Sequence, residues 1–183
     1  LESRVPFPAA MVPGTDADGL DLLTVVVKGT FKLEPGKEAL SVAEEQAPIV
    51  WSDVRYVEPG PSSVKYESDV SPAKKGTDVV LIGRAYPEER GAPATEVSLR
   101  AGPVSQRVQV FGDRRWYRKL GAWRISRPDP IESVPLVYER AFGGTDATDP
   151  NPAKHAREPR NPVGAGFAAS SRNRWDSHRL IVS

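Results

Sequence analysis

A proline or a glycine falls about once in every five or six residues, 18 prolines and 15 glycines among 183 positions. That is well above ordinary usage of the pair. Proline inside a helix removes a backbone hydrogen bond and clashes with the preceding turn, and glycine weakens the interior of either regular element. Punctuation this dense restricts the chain to short elements separated by turns. No stretch sustains a 3.6-residue apolar period, whereas period two recurs. The expected class is therefore all-β, a β-sandwich-like antiparallel domain.

The clearest strand is Leu22–Leu33, "LLTVVVKGTFKL". Its odd positions Leu23, Val25, Val27, Phe31 and Leu33 are apolar, which predicts that this face is buried, with Gly29 marking a bulge or a close backbone approach. Val79–Ile82 is apolar at every position, as expected of a strand covered on both faces. In "TEVSLRAGPVSQRVQVF" the turn falls at Gly102-Pro103. Val97 and Leu99 on one arm should share a face with Val104, Val108 and Val110 on the other. Ser133–Phe142 is a further strand candidate. After Gly143 the chain turns polar and rich in proline and glycine, so residues 1–143 are expected to form the β domain. Residues 144–183 are expected to be an irregular, weakly ordered segment that wraps the β domain or awaits a partner.

The 39% hydrophobic content suffices for a core. With no cysteine, neither disulfides nor thiolate metal sites can brace the fold, which fits a reducing compartment and a cytoplasmic location. No apolar run approaches the roughly 20 residues needed to span a bilayer, and the first ten residues lack the pattern of a signal peptide. The chain starts at Leu1, as a trimmed fragment would. Its net charge of +1 is unevenly spread: residues 1–60 carry ten acidic and five basic side chains, and the remainder carries the balance of +6. The basic excess is densest in Arg107–Arg127, with seven basic residues against Asp113 alone.

Three motifs crowd carboxylates, basic side chains and rings: "KYESDVSP" at Lys65–Pro72, "FGDRRW" at Phe111–Trp116 and "VYERAFGG" at Val137–Gly144. Glu67 or Asp69 with Asp113 or Glu139 would resemble the acid and nucleophile of a carbohydrate-active hydrolase, which needs two carboxyls at about 5–9 Å with separated pKa values. The favoured reading is a structural ion-pair network, Glu67, Asp69, Asp113 and Glu139 neutralised by arginines such as Arg114 and Arg140. Carboxylates placed among apolar strand residues survive when paired and hydrogen-bonded. The two histidines, His155 and His178, have no ligand at metal spacing, and no Gly-x-Ser-x-Gly elbow is present. Asp146, Asp149 and Asn151 offer oxygen ligands, but in the pattern of a solvated turn. Neither a cofactor nor a metal is expected, and no catalytic residue is assigned.

Trp116, Tyr117 and Trp123 interleave with Arg118 and Arg124. Rings beside cations suit single-stranded nucleic acid, and equally a protein-binding hot spot. The near-zero net charge disfavours a dedicated nucleic-acid binder, whose affinity rests on phosphate neutralisation. These five residues are therefore expected to form a partner-binding surface on a loop or exposed hairpin.

The ordered motifs "VVVKGTFKL", "KYESDVSPAKKGTDVVLIGRAY", "FGDRRW", "PLVYERAFGG" and "NPVGAGF" resemble a family labelled a domain of unknown function and encoded in bacterial type VI secretion gene clusters. The resemblance covers about residues 22–167. It implies a non-enzymatic adaptor or chaperone that binds a toxin effector and helps load it on the spike protein, often beside a spike-tip protein. No nucleic-acid partner and no membrane insertion are expected, on the grounds of charge and apolar run length. Members usually continue well past the last motif, which implies that this chain is the N-terminal part of a longer protein.

Overall fold

The computed structural model describes residues 4–58, 60–71, 74 and 76–169. The fold is all-β, as expected. Among the described residues helix is limited to two 3-10 turns, Tyr138–Arg140 and Pro152–Lys154, and the strands pair two at a time in eight ladders. The chain divides into two compact units, Leu1–Tyr56 with Val64–Asp78, and Val57–Ser63 with Val79–Ser183.

In the first unit, β1 (Ala9–Thr15) pairs antiparallel with β2 (Asp21–Val27), the turn held by Asp16, whose Oδ1 accepts from the Asp18 and Leu20 amides. The pairs β3 (Phe31–Lys32) with β4 (Ser41–Val42), and β5 (Val54–Arg55) with β6 (Val64–Tyr66), complete it. The expected strand from Leu22 to Leu33 is interrupted at Lys28–Thr30. At Gly29 the Phe31 ring packs so close that an added Cβ would lie 2.8 Å from its Cε2. The predicted inward face of β2 is also reversed: Val26 is buried while Leu23, Val25 and Val27 are all more than half exposed. Both faces of this strand are apolar enough to be the inner one, so period two alone could not choose between them.

The second unit contains β7 (Arg84–Ala85), β8 (Ala94–Ala101), β9 (Val104–Phe111), β10 (Trp116–Lys119), β11 (Ala122–Ile125), β12 (Val134–Pro135), β13 (Phe142–Gly143), β14 (Thr145–Asp146), β15 (Ala156–Arg157) and β16 (Ala165–Gly166). Two hairpins, β8–β9 and β10–β11, stand beside the ladders β7–β12, β14–β15 and the parallel β13–β16. The β8–β9 register sets Val97 opposite Val108 and Ala101 opposite Val104, which places the valines on one face as expected. Ala85, Val110, Ile131 and Val134 form the core, with Val97 and Leu136 packed against it.

Two expectations change here. Val79–Ile82 joins no ladder, and its four side chains are 42–66% exposed. Ser133–Phe142 is not a single strand: it breaks into β12, a 3-10 turn and the start of β13.

As far as Ala169 the segment after Gly143 is hydrogen-bonded into the unit, with Asp146, Glu158 and Asn161 buried. Hydrogen bonds cross the expected 143/144 junction: the Gly144 amide donates to Asn161 O, and the Ala165 amide to Ala141 O. Asn161 Nδ2 lies within hydrogen-bonding reach of the Tyr138, Ala141 and Phe142 carbonyls. Gly143 has φ 155° and so little room that a Cβ would lie 2.1 Å from Asn161 O. The motifs "YERAFGG" and "NPVGAGF" are thus the two halves of one tightly packed backbone junction. His178 and the apolar terminus Leu180–Ser183 lie outside the described residues.

Candidate functional site

The basic-aromatic segment forms the β10–β11 hairpin, with a two-residue turn at Leu120 (φ 50°) and Gly121 (φ 79°). Positive φ at both central positions is the geometry that matches strand twist in tight hairpins. Tyr117 lies opposite Arg124 and is 42% exposed; Arg118 and Arg124 are also exposed. Trp116 is half-buried, opposite Ile125. The backbone of Trp123 pairs with Arg118, while its side chain lies outside those described. Tyr117, Arg118 and Arg124 therefore present a ring and two cations to solvent, whereas Trp116 is partly drawn inward.

The acidic motifs are engaged by donors, though not always the expected arginines. Asp113 pairs with Arg140 Nη2 at 2.6 Å. Among the described residues Arg114 pairs with no carboxylate; its guanidinium lies over the Phe111 ring, 3.9 Å from the centroid, a cation–π contact. Glu139 is met by Ser63 instead of an arginine, accepting from its amide at 2.6 Å and its hydroxyl at 2.8 Å. In the first unit Asp69 takes Lys28 Nζ at 2.7 Å and the Val50 amide at 2.7 Å. Burial works to raise the Asp69 pKa. The hydrogen bonds from Lys28 and Val50 and the Lys28 charge outweigh it, so the carboxyl lies below its ordinary value. Glu67 is exposed and forms no such bond; its charge joins Asp78 in raising the pKa of Lys74, for which the Asp78 hydrogen bond is the larger cause.

Lys28, Ser63 and Asn161 escape a reading of the charged motifs because they are polar residues in otherwise unremarkable contexts. The lysine that closes an apolar strand, in "VVVKG", was the one local hint of a cation at a strand end. Asp146 is a loop staple: Oδ1 accepts from the Thr148 amide and hydroxyl, and Oδ2 from the Ala169 amide. Among the described residues no cluster of three His, Asp or Glu groups could hold a metal ion, and no helix is long and apolar enough to cross a membrane.

The second unit also carries an open groove of about 380 Å³, walled by β8–β9 residues such as Val97, Leu99 and Val108, by Leu81, and by the Val134–Ala141 segment. Its one charged lining side chain is Arg140, whose Nε is buried without an acceptor. The Arg140 charge is met by Asp113, so the trough is equipped to bind by burial of apolar surface.

A family model described as "Uncharacterized protein conserved in bacteria (DUF2169)" matches residues 18–180. The chain belongs to this bacterial family. The matched span takes in both units, including the groove and the hairpin. No curated protein and no solved structure matches the chain.

Proposed function

We propose that this protein is a non-enzymatic adaptor or chaperone of the bacterial cytoplasm. It binds a toxin effector of a type VI secretion system and helps load it on the spike protein, with a spike-tip protein as a third member of the assembly. The observation that carries the reading is the apolar surface left uncovered in the second unit: the Val79–Ile82 run beside the open groove. Contiguous apolar surface of this kind marks a site that another molecule covers. The five-motif resemblance selects a secretion partner as the protein that covers it. Tyr117, Arg118 and Arg124 supply the ring and cations from which protein hot spots are built. Engagement of Asp69, Asp113 and Glu139 by fixed donors favours a structural role for them over hydrolysis.

The test is co-expression of the tagged full chain with the toxin and spike genes that neighbour its own, followed by affinity capture and identification of what co-purifies. Stoichiometric recovery of toxin, spike or both is expected. Recovery of neither overturns the reading. Tight, salt-sensitive binding of single-stranded DNA without a protein partner would replace it with the nucleic-acid alternative.

A further inference from the structure

We infer that the tip of the β10–β11 hairpin is a docking knob: Leu120 and the cations around it receive a segment of a partner protein in which apolar side chains are flanked by carboxylates. The inference deepens the partner-surface reading of Tyr117, Arg118 and Arg124. It rests on the adaptor reading only in taking the occupant to be a protein.

The turn does not account for the residue at its tip. Leu120 takes the first central position with φ 50°, and among the described residues it is the one residue other than glycine at positive φ. Glycine, asparagine and aspartate adopt that conformation most readily, whereas a bulky side chain is disfavoured there. Burial does not account for it either, because Leu120 is 97% exposed. A large apolar group held outward in a disfavoured backbone conformation gains nothing from the fold, which leaves contact with another molecule as its use.

The charge around the tip chooses the occupant. The register places Tyr117, Lys119, Ala122 and Arg124 on one face of the hairpin and Arg118 on the other. Lys119 and Arg124 are exposed and form no hydrogen bond or ion pair with a described side chain. Arg118 Nε donates to the Gly121 carbonyl at 3.4 Å, which holds the guanidinium at the turn without neutralising it. No acidic residue stands between Asp113 and Asp129; the first is paired with Arg140, and the second lies 3.6 Å from Arg115. Three cations thus surround an apolar tip with no carboxylate of their own. A carboxylate-bearing partner supplies the missing charge, whereas a lysine-bearing one is repelled. Phosphates would satisfy the cations equally, but a phosphate backbone has no use for an exposed leucine, so Leu120 selects a protein.

Binding of the full chain to three fluorescein-labelled octapeptides, read by anisotropy, tests this. The peptides alternate glutamate with leucine, glutamate with serine, and lysine with leucine. The glutamate–leucine peptide should bind about tenfold more tightly than the lysine–leucine peptide, and about threefold more tightly than the glutamate–serine peptide. Leu120→Gly deletes the knob and eases the turn. It should bring glutamate–leucine affinity down to the glutamate–serine level while the melting temperature holds or rises. Lys119→Glu combined with Arg124→Glu should reverse the preference between glutamate–leucine and lysine–leucine. Three results would each overturn the proposal: no binding of the glutamate–leucine peptide, affinity unchanged by Leu120→Gly, or tighter binding of a single-stranded thymidine oligonucleotide than of any peptide. A chain carrying all three substitutions that still captures toxin and spike at full strength would remove the hairpin tip and leave the adaptor reading intact. Wild-type chain that captures neither would remove the adaptor reading, and the peptides would still decide the hairpin.

Discussion

The two units are held together by different physics. In the second, Ala85, Val110, Ile131 and Val134 pack into a core, and the Gly143–Asn161 junction brings backbone segments into close contact. In the first, Val26 is the one buried hydrophobic side chain among the described residues, and the connections between distant segments are polar. Lys28 and the Val50 amide meet Asp69, and Gln46 bonds to the Thr30 backbone through both ends of its amide. Charge divides the same way: eight basic against twelve acidic side chains in the first unit, a formal −4, and seventeen against twelve in the second, a formal +5, together the +1 of the chain. A region that buries little apolar surface must draw on directional bonds, which pH can switch off. A close-packed region is instead vulnerable to added volume.

The largest expected effect is therefore an added methyl at Gly143. Gly143→Ala would force a Cβ to 2.1 Å from a backbone oxygen at a φ that favours glycine, and should cost more than about 3 kcal/mol in urea denaturation. Near-normal stability would break the contrast, because the second unit would then tolerate volume at a tightly packed junction. Next is Arg140→Ala, which removes the ion pair to the partly buried Asp113 and should cost about 2–3 kcal/mol. A double-mutant cycle with Asp113→Ala checks it; additive losses would mean that the pair contributes nothing of its own.

Asp69→Asn carries the comparison into the first unit, with an expected loss of about 1.5–2 kcal/mol at neutral pH. Because the folded-state pKa of Asp69 is lowered, its contribution is fully present above the unfolded carboxylate value. It is lost as pH falls through the folded value. The stability gap between wild type and variant should therefore stay constant from neutral pH down to about 5 and close in stronger acid. A gap that persisted at the lowest pH would show that charge is not what Asp69 supplies. The smallest expected effect is Tyr117→Ala: an exposed hairpin ring should change stability by less than about 0.5 kcal/mol, while partner capture weakens by about 2 kcal/mol or more. A large stability loss with unchanged capture would reassign Tyr117 from partner surface to scaffold.

Much of the fold was legible locally. The β8–β9 hairpin could be read from its alternating valines and its Gly-Pro turn, and the β10–β11 hairpin from a basic-aromatic run too polar to be buried. The Asp113–Arg140 pair was foreshadowed by two motifs that each placed charge beside apolar residues. The donors that meet Asp69 and Glu139 were not legible, because Lys28 lies 41 positions from its partner and Ser63 lies 76 from its own. Nothing in the intervening chain signals such closures.

By itself the sequence determined the class. Proline and glycine at this density exclude long helices, period two makes strands, and turn residues mark where hairpins reverse, all through backbone sterics that act within a few residues. Tertiary structure decided what depends on which surfaces meet. It chose the Val26 face of β2 over the Val25 face, left Val79–Ile82 uncovered despite its core-like composition, and joined "YERAFGG" to "NPVGAGF" around Asn161. Burial and long-range hydrogen bonding are properties of neighbours in space, and a strand apolar on both sides carries no local mark of which side, or whose strand, will cover it.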